Sequence, residues 1–550
     1  MHTRLDPMIR SLLSAALSLL IVLPGGTVQA AGAVQTGGVV PTGGTVQAGG
    51  AAHPGPAVVR IADGLLRGAT GASTVTFQGI PYAAPPVGAA RWTAPRPPAP
   101  WSGVRDATKP TPYCPQTGGD GQPLSGTSED CLYLHITVPK AVASKPRPVM
   151  VWSHGGGFSS GSGSQHVPTS LATEGDVIVV TVDFRIGVFG NFGLSGLPGS
   201  GTFGLQDQQA ALRWVRKNIG AFGGDARNVT LFGESGGGVG TCGLLTSPGT
   251  RGLVDRAIMQ SGSCLLNWPR NGLGMGIPAG SFWQPAAQVR RTGRAAAARL
   301  GCRGTSAAVL HCLRTLDTAK VFTESNAFGS VAYGNPTLPL EPGKALQLGL
   351  FPRIPVLSGH TKDEARAIAA VAELLGDPVT ARNYPTRLKE AFGPRARAVQ
   401  AAYPVSAYRG KRAAALAWSA MDTDRVWACT QQATTAAFAR HTTAYAYEFA
   451  DPAAPGYLPF PAGFPTGSSH GSELNYLFNA AGGPPYWLTP AQERLAGQLR
   501  RYWTNFARTG NPNGPGTPNW PQWPSTQVLA PGATHPLDDR GNHHCDLWNR

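Results

Sequence analysis

Short, continuous apolar runs punctuate the chain at residues 148–152, 177–182, 229–232, 257–260, 354–357 and 444–449. Each reads as a buried strand. Segments of helical period lie between them. In 206–219 apolar residues fall at Ala210, Leu212, Trp214, Val215 and Ile219, and 286–300 and 492–507 are similar. Pro285 stands just before the second of these, where a helix start tolerates proline. Strands apolar on both faces, alternating with helices, predict an α/β fold with a large, mostly parallel sheet covered on both sides. In such sheets the active site lies beyond the carboxyl ends of the strands. The residues that follow the apolar runs are therefore the ones to read for chemistry.

The run 229–232 is followed by Gly233-Glu234-Ser235-Gly236-Gly237. A serine between glycines at a sharp strand-to-helix turn exposes its hydroxyl as a nucleophile. The bare G-x-S-x-G pattern is weak, because it also occurs at Ser159 and Ser469 in a chain with 72 glycines. Only Ser235 follows a strand-like run. The run ending at Trp152 leads into His154-Gly155-Gly156-Gly157-Phe158. Consecutive glycines there can present backbone N–H groups to a developing oxyanion.

A serine needs a base, and the base needs an orienting acid. The run 354–357 leads into Asp363 and Glu364, and position does not choose between them. Histidines downstream of Ser235 include His360, His441, His470, His535, His543 and His544. His470, in a Gly/Ser loop after the last strong run, stands first on context. His441 precedes a strand, and His543 and His544 lie in a polar tail.

Composition narrows the class. The net charge is +16, yet the basic residues are scattered with no run of five or more, so nucleic-acid binding is not expected. Eight cysteines, an even number, fit an oxidising compartment, and none has the CxxC spacing of a structural zinc site. Arg4 and Arg10 precede an apolar stretch over 11–23, followed by small residues ending at Ala30. This reads as a signal peptide over 1–30, with a lesser cleavage position after Ala48. The stretch is too short for stable membrane insertion. Residues 31–56 read as a Gly/Ala/Thr-rich linker and 57–550 as one catalytic domain, giving a secreted protein.

From about residue 59 onward the chain resembles the type-B carboxylesterases, which include the cholinesterases. The matching stretches are 77–83, 85–88, 128–134, 154–158, 222–225, 233–237, 257–263, 362–364 and 470–471. The resemblance implies an α/β-hydrolase fold and a Ser235–Glu364–His470 triad. It also implies oxyanion donors on Gly156, Gly157 and Gly236, and no metal or organic cofactor. By the same likeness Trp268, Glu234 and Phe158 stand on the substrate side, with Glu473 near the base. Implied disulfides are Cys114–Cys131, Cys302–Cys312 and Cys429–Cys545, with Cys242 and Cys264 either paired or free. Implied ion pairs are Arg91–Glu129 and Arg185–Asp207.

The chain departs from the family at three places. Gly236 replaces the usual alanine. The loop closed by Cys114 and Cys131 lacks the tryptophan used against choline, and Ala365 to Ile368 lack the cholinesterase aromatics, so a cation–π site is not expected. Residues 115–130 are too polar for a lipase lid. The expected function is hydrolysis of small-molecule carboxylic esters through an acyl-enzyme. The alternatives are a lipase on longer-chain glycerides, or a non-catalytic binding protein, which the filled triad disfavours.

Overall fold

The computed structural model describes residues 57–118, 122–271, 277–456, 458–480, 488–537 and 542–548. The signal peptide and linker expected within 1–56 lie outside the described residues.

The main sheet is built, in chain order, from β1 (Ala69–Thr70), β2 (Thr74–Pro81), β3 (Tyr133–Pro139), β4 (Arg147–Ser153), β5 (Ile178–Val182), β6 (Gly224–Glu234), β7 (Arg256–Gln260), β8 (Val356–Thr361), β9 (Ala444–Phe449), β10 (Thr526–Leu529) and β11 (His535–Leu537). Across the sheet the order is β11-β10-β9-β8-β7-β6-β4-β5-β3-β2-β1. From β5 to β10 the neighbours are parallel. The outer pairs are antiparallel. The helices used below are α1 (Phe203–Asn218), α2 (Gly236–Leu245), α3 (Ala286–Arg299), α4 (Arg366–Leu374), α5 (Ala413–Asp422), α6 (Cys429–Ala439) and α7 (Pro490–Thr509).

The apolar runs are continuous because both faces of each strand are covered. On β4, Val149 and Val151 pack with Leu205, Leu212 and Val215 of α1. Met150 and Trp152, one residue out of phase, pack with Leu495, Leu499 and Trp503 of α7. Full burial of such side chains is worth about 1.5–3 kcal/mol each. The ends of α7 are set locally. Thr489 and Gln492 form a capping box, Pro490 occupies the first turn, and Gly510 closes the helix at φ 80°.

Two strands extend past the apolar runs. β8 continues from Leu357 through Ser358, Gly359, His360 and Thr361, all buried. Gly359 lies under the Tyr447 ring, where a Cβ would come within 2.2 Å of it. Ser358 Oγ accepts from Gln431 Nε2 at 2.6 Å. Polar and small residues thus complete a strand that hydrophobicity alone would end early. The antiparallel strands β2 and β3 were not among the apolar runs.

All three implied disulfides form, and Cys242 pairs with Cys264. Both implied ion pairs form and are buried. His543 corrects the reading of a polar tail. It is 4% exposed, its Nδ1 lies 2.6 Å from Asp424 Oδ1, and its Nε2 lies 2.6 Å from Glu448 Oε2. With the Cys429–Cys545 bridge beside it, this imidazole clasps the C-terminal segment to β9.

Candidate active site

β6 ends at Glu234 and α2 begins at Gly236, leaving Ser235 alone at the corner. Its backbone stands at φ 56° and ψ −122°, outside the regions a serine ordinarily adopts. Such strain costs on the order of 1–3 kcal/mol and persists only where the surroundings enforce it. Here Ser235 N donates to Gln260 O at 2.9 Å. A Cβ on Gly237 would stand 2.0 Å from the Ser153 carbonyl oxygen, so β4 and α2 meet in a space only glycine leaves open.

His470 reaches this corner from a long loop after β9. Its Nε2 accepts from Ser235 Oγ at 2.9 Å, and its Nδ1 donates to Glu364 Oε2 at 2.5 Å. Glu364 Oε1 accepts from Thr361 N at 2.9 Å. Asp363, the other acid that position left open, faces away from the imidazole. It pairs with Arg366 at 2.8 Å and accepts from Ser468 N at 3.0 Å, pinning the loop that carries His470. Ser159 and Ser469 take no part in this chain of contacts.

Four ionisable groups crowd this buried volume. Burial pushes the His470 imidazole down, but the Glu234 and Glu364 carboxylates outweigh it and lift its pKa to about 9. Burial pushes Glu364 up, and the imidazole beside it more than reverses this, holding the carboxyl below its ordinary range. At Glu234 and Glu473 burial wins, and both carboxyls are raised. Glu364 is therefore the carboxylate best able to balance an imidazolium. Glu234 Oε1 also lies 3.3 Å from His470 Nε2. Glu473 accepts from Gln260 Nε2 at 3.2 Å, one layer behind.

The glycine loop after β4 faces Ser235. Gly156 stands at φ 106°, and a Cβ there would sit 1.9 Å from the Ser160 carbonyl oxygen. Among the described residues, the N–H groups of Gly156 and Gly157 make no intramolecular hydrogen bond. That of Gly236 heads α2, where a first-turn N–H has no partner within the helix. A Cβ on Gly236 would lie 2.7 Å from Gly157 N. Gly236→Ala is therefore expected to push the loop outward and cut kcat/KM by about tenfold to a hundredfold, part of the loss of one oxyanion donor. Steady-state rates at unchanged melting temperature check this.

A small apolar pocket of about 30 Å³ opens beside Ser235 and His470. Leu266, Trp268, Phe282, Ile368 and Trp427 form its walls. Trp268 lines it. Phe158 does not. It is 6% exposed and packs edge-on against Phe282, with ring centroids 5.8 Å apart. Glu234 contacts the base rather than the pocket. Phe282 and Trp427 went unread in the sequence. Trp427 sits in a π-helical turn, Thr423–Ala428, and meets Trp268 edge-to-face at 5.0 Å. Nothing in the local sequence marks it.

Among the described residues, one group of metal-ligand type, His360, Glu448 and His543, has donor atoms within 4.8 Å of one another. Both ring nitrogens of His543 are already engaged by carboxylates.

A strained serine at a strand–helix corner, a buried Ser–His–Glu chain and this sheet order define an α/β-hydrolase. The chain belongs to the carboxylesterase family, whose model matches residues 55–548. It is 40% identical to para-nitrobenzyl esterase of Bacillus subtilis (strain 168) over 325 residues, which is 56% of this chain and 63% of that protein. It is 37% identical to juvenile hormone esterase of Tribolium castaneum over 330 residues, 56% of this chain and 53% of that protein. The matched stretch thus spans less than two thirds of either relative. The structure is similar to that of a PNB esterase, with TM-score 0.71 and 31% identity over 89% of this chain and 99% of that one.

Proposed function

We propose that this protein is a serine carboxylesterase. Ser235 attacks the ester carbonyl while His470 Nε2 takes its proton. The N–H groups of Gly156, Gly157 and Gly236 receive the oxyanion. His470 returns the proton to the departing alcohol, and Glu364 balances the imidazolium. Water, deprotonated by His470, then releases the acid. The observation that carries this reading is the buried Ser235–His470–Glu364 hydrogen-bond chain opening on an apolar pocket. Residues 57–550 act as one catalytic unit, consistent with strands from 69 to 537 sharing one sheet. Export to an oxidising compartment fits the four disulfides among the described residues. Among those residues no helix is long and apolar enough to cross a membrane.

A fluorophosphonate probe tests the nucleophile. The folded protein should take up label, and Ser235→Ala should take up none. Equal labelling of the two would end the proposal. The closed aromatic pocket adds a second expectation. On neutral 4-nitrophenyl esters, kcat/KM should be highest for acetate to butyrate and fall at least tenfold by decanoate, since each extra methylene must displace Trp268 or Trp427. A preference for decanoate, with a rate jump above its solubility limit, would favour the lipase alternative.

A further inference from the structure

Behind Trp268 lies a second, open cleft of about 760 Å³. Arg270, Arg395 and Arg425 line it together with Trp268, Phe392 and Trp548, and among the described residues no carboxylate lines it. Three guanidinium groups and three aromatic rings around one cleft suit an anion with a hydrocarbon body.

The cleft is built from the fold rather than from loose surface charge. The Arg425 side chain is 5% exposed and stacks over Phe392 at 4.8 Å. Its Nε donates to Asp422 Oδ1 at 2.5 Å, but its buried Nη2 has no hydrogen-bond partner among the described residues. A buried, unpaired guanidinium N–H is costly to leave unmade. Arg395 is steadied over the Trp548 ring and donates one N–H to Leu547 O at 2.5 Å. Arg270 follows Trp268 by two residues and is exposed.

Trp268 is the wall shared by this cleft and the pocket at Ser235. Ring packing holds it, against Trp427 at 5.0 Å and Phe282 at 6.3 Å. Its indole N–H is buried without a hydrogen-bond partner among the described residues. An acyl chain that displaces this ring passes from the nucleophile into the arginine cleft. A neutral chain gains little there, whereas one ending in a carboxylate meets guanidinium donors.

We propose that the cleft holds the free carboxylate of a dicarboxylic half-ester, so that the protein selects esters whose acyl chain ends in an anion. This rests on the esterase reading above, and the test separates the two. 4-Nitrophenyl hydrogen adipate and 4-nitrophenyl hexanoate have six-carbon acyl groups that differ only at the far end. At low ionic strength, kcat/KM should favour the adipate ester by at least tenfold, the scale of a charge-assisted contact. In the exposed-site double variant Arg270→Ala/Arg395→Ala the ratio should fall to about one. A wild-type ratio near one, or a ratio the double variant leaves in place, overturns the proposal. Calorimetry with free adipate decides the cleft without turnover. Binding weakened at least tenfold by the double variant supports it, even if neither ester is hydrolysed and the esterase reading falls. Absent binding, or binding the double variant leaves equal, overturns it.

Discussion

Ser235→Ala is expected to lower kcat on 4-nitrophenyl acetate by about 10⁶-fold, the scale seen when a triad nucleophile is removed. The residual rate should still exceed that of water by about 10³–10⁴, because the glycine loop and the pocket remain to stabilise the oxyanion and bind the ester. The size of the loss follows from geometry. Ser235 is the hydroxyl held 2.9 Å from His470 Nε2, at a corner whose φ of 56° is enforced by β4 and β7. The substitution removes one oxygen from a site already built for a small side chain, so the fold should survive with little change in melting temperature. The other two G-x-S-x-G serines serve as controls. Ser159 Oγ turns to Gly157 O at 3.4 Å, and Ser469 Oγ is buried with no hydrogen-bond partner among the described residues. Alanine at either should change kcat by less than about tenfold. A Ser235→Ala protein retaining a tenth of wild-type activity would remove it as nucleophile.

Some of this site was legible in the sequence because close packing writes itself in residue type. Gly156 and Gly237 sit where a Cβ would come within 1.9 and 2.0 Å of a backbone oxygen, so their identity is a record of the contact. The apolar runs 148–152, 177–182 and 229–232 were legible for the same reason, each dividing its side chains between two clusters. What escaped depends on distant partners. His543 reads as a tail residue until Asp424 and Glu448 are brought to it from elements far apart in sequence. The buried polar end of β8 reads as a loop until Tyr447 and Gln431 cover it. The arginine cleft gathers residues from 265 to 548, and no local pattern announces such a gathering. Between Asp363 and Glu364 the family likeness decided, and the structure adds the reason. One carboxylate faces the imidazole and its neighbour ties down the loop that presents it.

Glu364→Gln is expected to lower kcat by about 10⁴-fold, as when the carboxylate of a triad is made neutral without changing its shape. Two effects combine. The amide can offer an N–H to Nδ1, selecting the tautomer in which Nε2 carries the proton and no longer accepts from Ser235. The charge that balances the imidazolium in the transition state is also gone. The pH profile separates this from a packing defect. The reactive form is the neutral imidazole, so kcat/KM falls as pH drops through the His470 pKa. Glu364 is one of the carboxylates that raise that pKa. Removing its charge lowers the pKa, so the acid limb of the variant should move to lower pH while its plateau collapses. Asp363→Asn provides the contrast. Asp363 touches Arg366 and Ser468 N rather than the base, so its loss should lower thermal stability, keep kcat within about tenfold and leave the acid limb in place. If Glu364→Gln kept the wild-type acid limb and most of its rate, the orienting acid would have to be another group. Glu234, 3.3 Å from Nε2, stands on the wrong side of the ring to serve, because a carboxylate there competes with Ser235 for the nitrogen that must take its proton.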